Sequence, residues 1–346
     1  MEKTRKREIT GISFARAILT LSIVLIHFVG ATEKTYAIVD RYFYAPWNSM
    51  AVTGFFMISG AVLYYNHDEI PSLKEFYFKR FKSIYPAYYI AYSYFFIQKV
   101  FETGDLLTHG QPWCLIFSLL GMDGYLEFKI PNYYLIGEWF VGAIVILYIL
   151  YPLLLKGIKK APMLTTALSI CMYYVMLKTM FHTVYAMRNI FTCIMSFVLG
   201  MLIIRYESFF LKNIWIGVVS LVYLFTSGRL YVLPIDPCTI TQLNGYALFF
   251  VLYYIGEYAM RSRTVKKPIA IINRIGFPIF LVHHRIVDKM IGYHNPSSSA
   301  DFTITFIVTL LLSFAGAQVL YLVTNRILKS NAWQKFERTI LKKSQY

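Results

Sequence analysis

A stripe of polar side chains interrupts the first apolar run of the chain. Arg16, Thr20 and His27 lie within ITGISFARAILTLSIVLIHF, where most other residues are apolar. Arg16 and His27 are eleven residues apart, and at about 100° per residue that spacing returns to almost the same face of an α-helix. Histidine is the side chain best suited to take up a proton near neutral pH. The stripe therefore predicts a proton-transfer site or, alternatively, a structural pair in which His27 bonds a backbone carbonyl and Arg16 reaches the membrane surface.

A basic cluster precedes a later apolar run and has the composition of an anion site. Lys79, Arg80 and Lys82 belong to KRFKSIYP, where cations directly precede aromatic residues and a proline. If a helix starts here, its first backbone N–H groups also favour anions. The cluster predicts contact with a phosphorylated ligand, although cations at this place also fit a cytoplasmic membrane anchor.

A third group of polar residues lies in the run that begins IGFPIFLVHH. It contains His283, His284 and Arg285, after a glycine and a proline that weaken a helix. Adjacent helical residues point about 100° apart, so only one of the two histidines can face the same side as His27. A proton relay or a binding site would explain them, and packing near the outer membrane surface is the alternative.

These groups lie in a chain whose composition indicates a membrane protein. Of its 346 residues 57% are hydrophobic and only 15% are charged, whereas a soluble domain carries about 25% charged residues. This composition excludes an ordinary soluble enzyme. The net charge of +16 is spread over short clusters between the apolar runs, which argues against a nucleic-acid partner. The four cysteines lack the spacing of a zinc site, and we expect no metal.

Hydropathy predicts an all-α, polytopic membrane helical bundle of about ten transmembrane helices in one domain, residues 1–346. The predicted spans are 9–30, 46–66, 83–101, 134–155, 162–181, 186–204, 212–228, 241–260, 268–291 and 303–328. With alternating spans, most of the 34 Lys and Arg residues fall on one side, and the positive-inside rule then places both termini in the cytoplasm. The basic inner loops fit a bacterial plasma membrane. The apolar stretch 113–122, too short to cross, predicts a re-entrant or interfacial helix.

Taken together, these segments resemble the acyltransferase-3 family of polytopic membrane acyltransferases over nearly the whole chain. The first run carries the family's arginine and histidine at Arg16 and His27, and GFFMISG carries its Ser-Gly pair at Ser59 and Gly60. KRFKSIYP is similar to the family's cytoplasmic basic motif, EWFVGAIVILYILYP to a later span that opens with Trp139, and IGFPIFLVHH to the late helix that contains His283.

The resemblance implies transfer of an acyl group, most simply acetyl, from cytoplasmic acyl-CoA to a carbohydrate hydroxyl on the outer side. The acceptor would be a surface polysaccharide or a lipid-linked glycan. Many members carry a glutamate five residues after the tryptophan, where this chain has Ile144, and Glu138 is the expected substitute. The residue roles implied are catalysis by His27 as general base with Arg16 and Ser59, binding of acetyl-CoA by Arg80, Lys82 and Lys79, and acceptor binding by Trp139, Glu138 and His283.

A proton-coupled transporter or flippase of a glycan or small molecule is the alternative function. Ten spans with buried arginine and histidine would serve it equally well. Its expected signature is a pair of interrupted helices in two related halves, and the sequence shows no such internal symmetry. The residues alone therefore favour acyl transfer.

Overall fold

A computed structural model describes residues 8–33, 47–106, 111–126, 130, 133, 135–179 and 185–341. Within these ranges the regular elements are helices, with no β-strand. The α-helices are α1 Thr10–Ala31, α2 Trp47–Asn66, α3 Leu73–Thr103, α4 Leu115–Leu120, α5 Asp123–Leu126, α6 Glu138–Lys160, α7 Pro162–Thr179, α8 Ile190–Arg205, α9 Glu207–Phe210, α10 Ile214–Thr226, α11 Pro237–Ala259, α12 Arg263–Tyr293, α13 Ser299–Leu328 and α14 Asn331–Leu341.

The predicted all-helical fold is confirmed. Each of the ten predicted spans overlaps one helix, in the same order: α1, α2, α3, α6, α7, α8, α10, α11, α12 and α13. Two of these helices are short, α8 with 16 residues and α10 with 13. By length and composition α1, α6, α11 and α13 are able to cross a membrane. Crossing by the other six helices and the cytoplasmic position of both termini stay predictions. Four helices begin earlier than hydropathy indicates, α3 at Leu73, α11 at Pro237, α12 at Arg263 and α13 at Ser299, because their first turns contain charged or polar residues.

The described chain forms two compact units. The first unit contains Met1–Asp68 and Leu150–Arg274, and the second contains Glu69–Ile149 and Ile275–Tyr346. The expected single domain 1–346 stays a prediction. Each unit is therefore built from two stretches that are distant in sequence.

The first unit is organised around α2 and α11. Helix α2 packs against α8, α11 and α1, and α11 also packs against α1 and α10. The crossing of α2 and α8 brings two backbones together at glycines. A Cβ atom placed on Gly60 would lie 2.0 Å from the carbonyl oxygen of Phe197, and one placed on Gly200 would lie 2.0 Å from that of Met57. Small residues permit such close approach of helices, which is how apolar helices associate in lipid.

The second unit places the short helices α4 and α5 against α3. The Tyr88 hydroxyl donates to the Ser118 carbonyl oxygen at 2.7 Å, and the Tyr92 hydroxyl lies 2.8 Å from Ser118 Oγ and 2.8 Å from the Tyr133 carbonyl oxygen. Helix α4 lies within the stretch 113–122, and Gly121, whose φ is +69°, caps its C-terminal end. The predicted short helix is thus present, and its position in a membrane stays a prediction. Helix α13 packs along α3.

We predict that Gly60→Ala destabilises the protein, because the added methyl group overlaps the backbone of α8. Overpacking of this kind costs about 1–3 kcal/mol, and more where backbone has to move. Thermal unfolding of the purified protein in detergent should show a lower Tm for Gly60→Ala.

The matched control is Gly292→Ala, because a Cβ atom on this helical glycine meets nothing within 4 Å. Its Tm should stay the same or rise slightly, since alanine favours helix over glycine by about 1 kcal/mol. Equal melting temperatures for the two variants would contradict the close crossing of α2 and α8.

Candidate functional site

The polar stripe of the first apolar run lies on one unbroken helix. Helix α1 carries Arg16, Thr20 and His27, with Arg16 and His27 half-buried and Thr20 buried. The Thr20 hydroxyl donates to the Arg16 carbonyl oxygen at 2.9 Å, so it stays on its own helix. At 1.5 Å per residue the Arg16 and His27 positions lie about 16 Å apart along the axis. The shared stripe is confirmed, and the chemical role of its residues stays a prediction.

A carboxylate from α11 holds the first turn of α1. Glu257 Oε1 accepts a hydrogen bond from the Thr10 hydroxyl at 2.6 Å and another from the Gly11 backbone N–H at 2.6 Å. The N–H groups of a first helical turn have no partner within the helix, and a negative charge there also interacts favourably with the helix dipole. Glu257 therefore fixes the end of the helix that carries the stripe.

Close backbone packing and one amide complete this anchor. A Cβ atom on Gly11 would lie 2.5 Å from the Tyr253 carbonyl oxygen, and one on Gly256 would lie 2.5 Å from Phe14 Cβ. The Asn273 side-chain amide donates to the Ser13 carbonyl oxygen at 2.8 Å. Sequence analysis did not identify Glu257 or Asn273 as positioning residues, because their partners lie about 250 residues away in the chain.

Ser59 lies half-buried on α2, in the same unit as α1. Its hydroxyl makes no hydrogen bond with the described residues, unlike the Thr53 hydroxyl, which donates to the Ser49 carbonyl oxygen at 2.8 Å. The amide of Gly60 lies in the middle of α2, where N–H groups bond within the helix. The space beside Gly60 is taken by Phe197. Of this Ser-Gly pair, the serine hydroxyl is thus the group available to a ligand.

The basic cluster lies inside α3, which corrects the expectation that a helix starts there. The helix begins at Leu73, and the Ser72 hydroxyl caps it by accepting from the Glu75 backbone N–H at 3.3 Å. Lys79 and Arg80 therefore lie in the second turn and Lys82 in the third. Because N–H groups inside a helix bond to preceding carbonyls, the cluster offers side-chain charge and no free helix terminus.

The three cations of this cluster have different surroundings. The Arg80 guanidinium lies over two aromatic rings, 5.8 Å from the centre of Phe76 and 5.6 Å from that of Tyr148 on α6. Lys79 pairs with Glu75 one turn before it, at the surface. Lys82 Nζ lies 2.6 Å from a carboxylate oxygen of Glu337 on α14, and both side chains are partly buried.

The predicted acceptor residues also lie in the second unit. Glu138 and Trp139 open α6, and the Trp139 side chain is half-buried. The description of Glu138 is limited to its backbone, so its proposed role stays a prediction. His283 is fully buried on α12, and its Nδ1 lies 2.9 Å from the carbonyl oxygens of both Ile279 and Phe280. Carbonyls only accept, so Nδ1 carries the proton and Nε2 is an acceptor in the neutral ring.

The neighbouring His284 packs against Gly137, the residue just before α6. A Cβ atom on Gly137 would meet the His284 ring at 3.2 Å, and Gly137 has a φ of +80°. Both facts require glycine at this position. That only one of the two histidines faces the same side as His27 stays a prediction, and the structure gives His283 and His284 different contacts on α12.

The predicted site residues therefore form two groups. Arg16 and His27 on α1 and Ser59 on α2 belong to the first unit, where α1 and α2 pack together. The remaining predicted residues belong to the second unit: Lys79, Arg80, Lys82, Glu138, Trp139 and His283.

Comparison with known protein families identifies the family of this chain. A family model for acyltransferase-3, described as an acyltransferase domain, matches residues 9–322, nearly the whole chain. The chain belongs to the acyltransferase-3 family. The family and the apolar helices together indicate a membrane acyltransferase. No curated protein and no solved structure gave a match.

A buried carboxyl group in this acyltransferase was not identified from the sequence. Asp123, at the start of α5, has no exposed surface, and its Oδ2 accepts from the Tyr92 hydroxyl at 3.3 Å. Burial raises the pKa of Asp123 from 3.8 to about 6, against the opposing effect of hydrogen bonds from Ser118 and Tyr92. It lies between the predicted spans, in the segment that packs on α3.

We predict that Asp123 makes stability depend on pH. Its pKa is raised on folding, so its contribution is fully present at low pH and is lost as the pH rises through about 6. Between pH 5 and 7.5 the free energy of unfolding should fall by about 1 kcal/mol more in the wild type than in Asp123→Asn. Denaturant unfolding in detergent at the two pH values measures this difference, and equal slopes in the two proteins would contradict the assignment.

Proposed function

We propose that this acyltransferase moves an acyl group, with acetyl as the predicted group, from acyl-CoA in the cytoplasm to a hydroxyl of a carbohydrate on the opposite side of a membrane. The proposed location is a bacterial plasma membrane, with both termini in the cytoplasm. The acceptor is a surface polysaccharide or a lipid-linked glycan. Family membership supports acyl transfer over the alternative of a transporter.

The observation that carries the proposal is the stripe on α1. Ionisable side chains inside an apolar span are costly and are retained where they act. Arg16 and His27 lie on one face of the same helix, and the anchor at Glu257 fixes the end of that helix. Thr20, between them on the stripe, bonds to its own helix. Histidine is thus the proton acceptor of the stripe.

In the proposed step a ring nitrogen of His27 takes the proton from the acceptor hydroxyl, while that oxygen attacks the thioester carbonyl carbon. A tetrahedral oxyanion forms, and its collapse breaks the carbon–sulfur bond. The CoA thiolate then leaves and takes the proton from the imidazolium. The products are an ester and CoA–SH, and the base is regenerated.

The oxyanion of this intermediate needs a hydrogen-bond donor. Ser59 supplies the candidate, because its hydroxyl is half-buried in the unit that contains His27 and makes no hydrogen bond with the described residues. One such donor is worth about 3 kcal/mol to the transition state. We assign Arg16, near the inner end of α1 in the predicted topology, to orientation of the acyl-CoA chain.

The phosphates of acyl-CoA need cations on the cytoplasmic side, and Arg80, Lys82 and Lys79 are the proposed ligands. Arg80 is the strongest candidate, because the rings of Phe76 and Tyr148 hold its guanidinium in place and a planar guanidinium binds phosphate through two parallel hydrogen bonds. For the acceptor we propose Trp139, Glu138 and His283, since an aromatic ring and hydrogen-bonding groups are suited to a sugar.

We predict that His27→Ala abolishes acyl transfer while the protein is still produced and folded. Loss of a general base costs about 100-fold to 10,000-fold in rate. Membranes supplied with radiolabelled acetyl-CoA should transfer label to a glycan fraction when they contain the wild type and not when they contain His27→Ala.

The control for this experiment is His294→Ala. His294 is exposed and pairs with Asp301 at 2.7 Å, away from α1 in sequence. This variant should retain full transfer. Full transfer by His27→Ala would show that another group is the base.

We predict that Arg80→Ala raises the KM for acetyl-CoA by about tenfold to a hundredfold, the value of a hydrogen bond between charged groups. The KM for acetyl-pantetheine, which lacks the nucleotide phosphates, should not change. Arg261→Ala is the matched control, because Arg261 also lies over an aromatic ring, 5.5 Å from the centre of Tyr258. Its KM for acetyl-CoA should match that of the wild type.

Glu337→Gln should act in the opposite direction, since it frees Lys82 from its ion pair and should lower the KM for acetyl-CoA. An Arg80→Ala variant with an equal increase in KM for both donors would mean that Arg80 does not bind phosphate.

A further inference from the structure

The first unit contains a cavity that the proposed chemistry does not use. It has a volume of about 190 Å³ and lies among α7, α8 and α11. This space corresponds to roughly six water molecules at about 30 Å³ each. Its lining includes hydroxyl and amide groups of Ser169, Tyr173, Thr239, Gln242 and Tyr246 and contains no ionisable acid or base other than tyrosine.

The amide group of Gln242, which lines this cavity, lacks a good hydrogen-bond acceptor among the described residues. Gln242 is 2% exposed, and its Oε1 accepts from the Ser196 hydroxyl at 2.9 Å. Its amide nitrogen, which has two N–H donors, has the Met187 sulfur as its one hydrogen-bond acceptor among the described residues, at 3.6 Å. A thioether is a weak acceptor, and a buried donor without a good acceptor costs about 1–3 kcal/mol. A bound ligand with an oxygen acceptor would remove this cost.

Hydrogen-bond directions around Gln242 define what the ligand can be. Ser196 Oγ donates to Gln242, so the Tyr246 hydroxyl, 3.2 Å away, donates to Ser196 and keeps its own lone pairs for a ligand. Tyr173 and Thr239 share one hydrogen bond at 3.0 Å, which leaves one O–H of the pair free to donate. The cavity thus offers neutral donors and neutral acceptors side by side, as sugar hydroxyl groups require.

The position of the cavity also fits an acceptor. Gln242 lies five residues into α11 and Ser196 six residues into α8, which is about 8–9 Å from the start of each helix. Both helices start on the outer side in the predicted topology. Tyr174, which is 46% exposed, lies at the edge of the cavity, where an aromatic ring is available to a sugar face.

We propose that this cavity binds one uncharged sugar ring of the acceptor, with the Gln242 amide donating to a ring hydroxyl. The site holds part of the glycan and is separate from the residues assigned to the chemical step. The identification of this sugar as part of the acceptor rests on the proposed function. Binding of a sugar in the cavity does not depend on acyl transfer.

The test is photolabelling of the full chain in phosphatidylcholine nanodiscs. The probe is an alkyl glucoside with a diazirine on the alkyl carbon next to the sugar, and mass spectrometry locates the labelled peptides. We expect label on α7 and α11. Gln242→Met removes both N–H donors and should raise the probe concentration needed for half-maximal labelling about tenfold. Ser169→Leu, which fills the cavity, should prevent labelling.

Two controls make the test specific. Thr241→Val changes a buried neighbour of Gln242 whose hydroxyl donates to the Pro237 carbonyl oxygen at 2.9 Å and does not line the cavity, so its labelling should match the wild type. A probe with the same chain and a tetraethylene glycol head should not label. Equal labelling by that probe, equal labelling of Gln242→Met, or the absence of label on α7 and α11 would overturn the proposal.

Competition distinguishes two sources of the sugar. Displacement of the probe by maltose indicates that a soluble glycan binds, whereas displacement by dodecyl maltoside alone indicates a glycan on a lipid anchor, and both results support a sugar site. The readout is separate from transfer of acetyl groups. Specific labelling without acetyl transfer would support the sugar site in the cavity and contradict the proposed function. Acetyl transfer without specific labelling would support the proposed function and contradict the sugar site.

Discussion

One carboxylate determines where α1 begins. Glu257 accepts two hydrogen bonds at the first turn of that helix through the same oxygen, Oε1, each at 2.6 Å. Gly11 and Gly256 let α1 and α11 approach closely enough for this contact. Because a helix rises by a fixed amount per residue, fixing its first turn also fixes the depth of every side chain along it. The proposed chemistry depends on that depth, since the cost of an ionisable group in lipid varies with its distance from the surface.

Much of the architecture could be predicted from the sequence. Apolar runs separated by basic segments predicted ten helices in the order in which they occur, and the polar residues of the first run were correctly placed on one helix. Hydropathy was less successful at helix starts, because it detects the apolar part of a helix and not a polar extension. Helix α3 shows this, since ten residues before the predicted span at 83 already belong to it. The basic cluster was therefore expected at a helix terminus and lies within a helix.

The contacts that position the site could not be predicted in this way. Glu257 and Glu337 are ordinary acidic residues in sequence, and their partners become apparent only when distant helices pack. The sequence indicated Gly60 only as part of a Ser-Gly pair, and the structure shows that a neighbouring helix packs against it. Gln242 gave no signal because a single uncharged amide near the start of a predicted span is common. Its position beside a cavity, with a sulfur atom as acceptor, is a tertiary property.

The setting of Arg80 limits what can replace it. The guanidinium is planar and lies over the rings of Phe76 and Tyr148, so its orientation is set by its neighbours as well as by its charge. A lysine at this position would keep the positive charge, but a compact ammonium group is more strongly hydrated and has no plane to stack. Position 80 is therefore constrained by the shape of its side chain in addition to its charge, and the constraint comes from rings on two different helices.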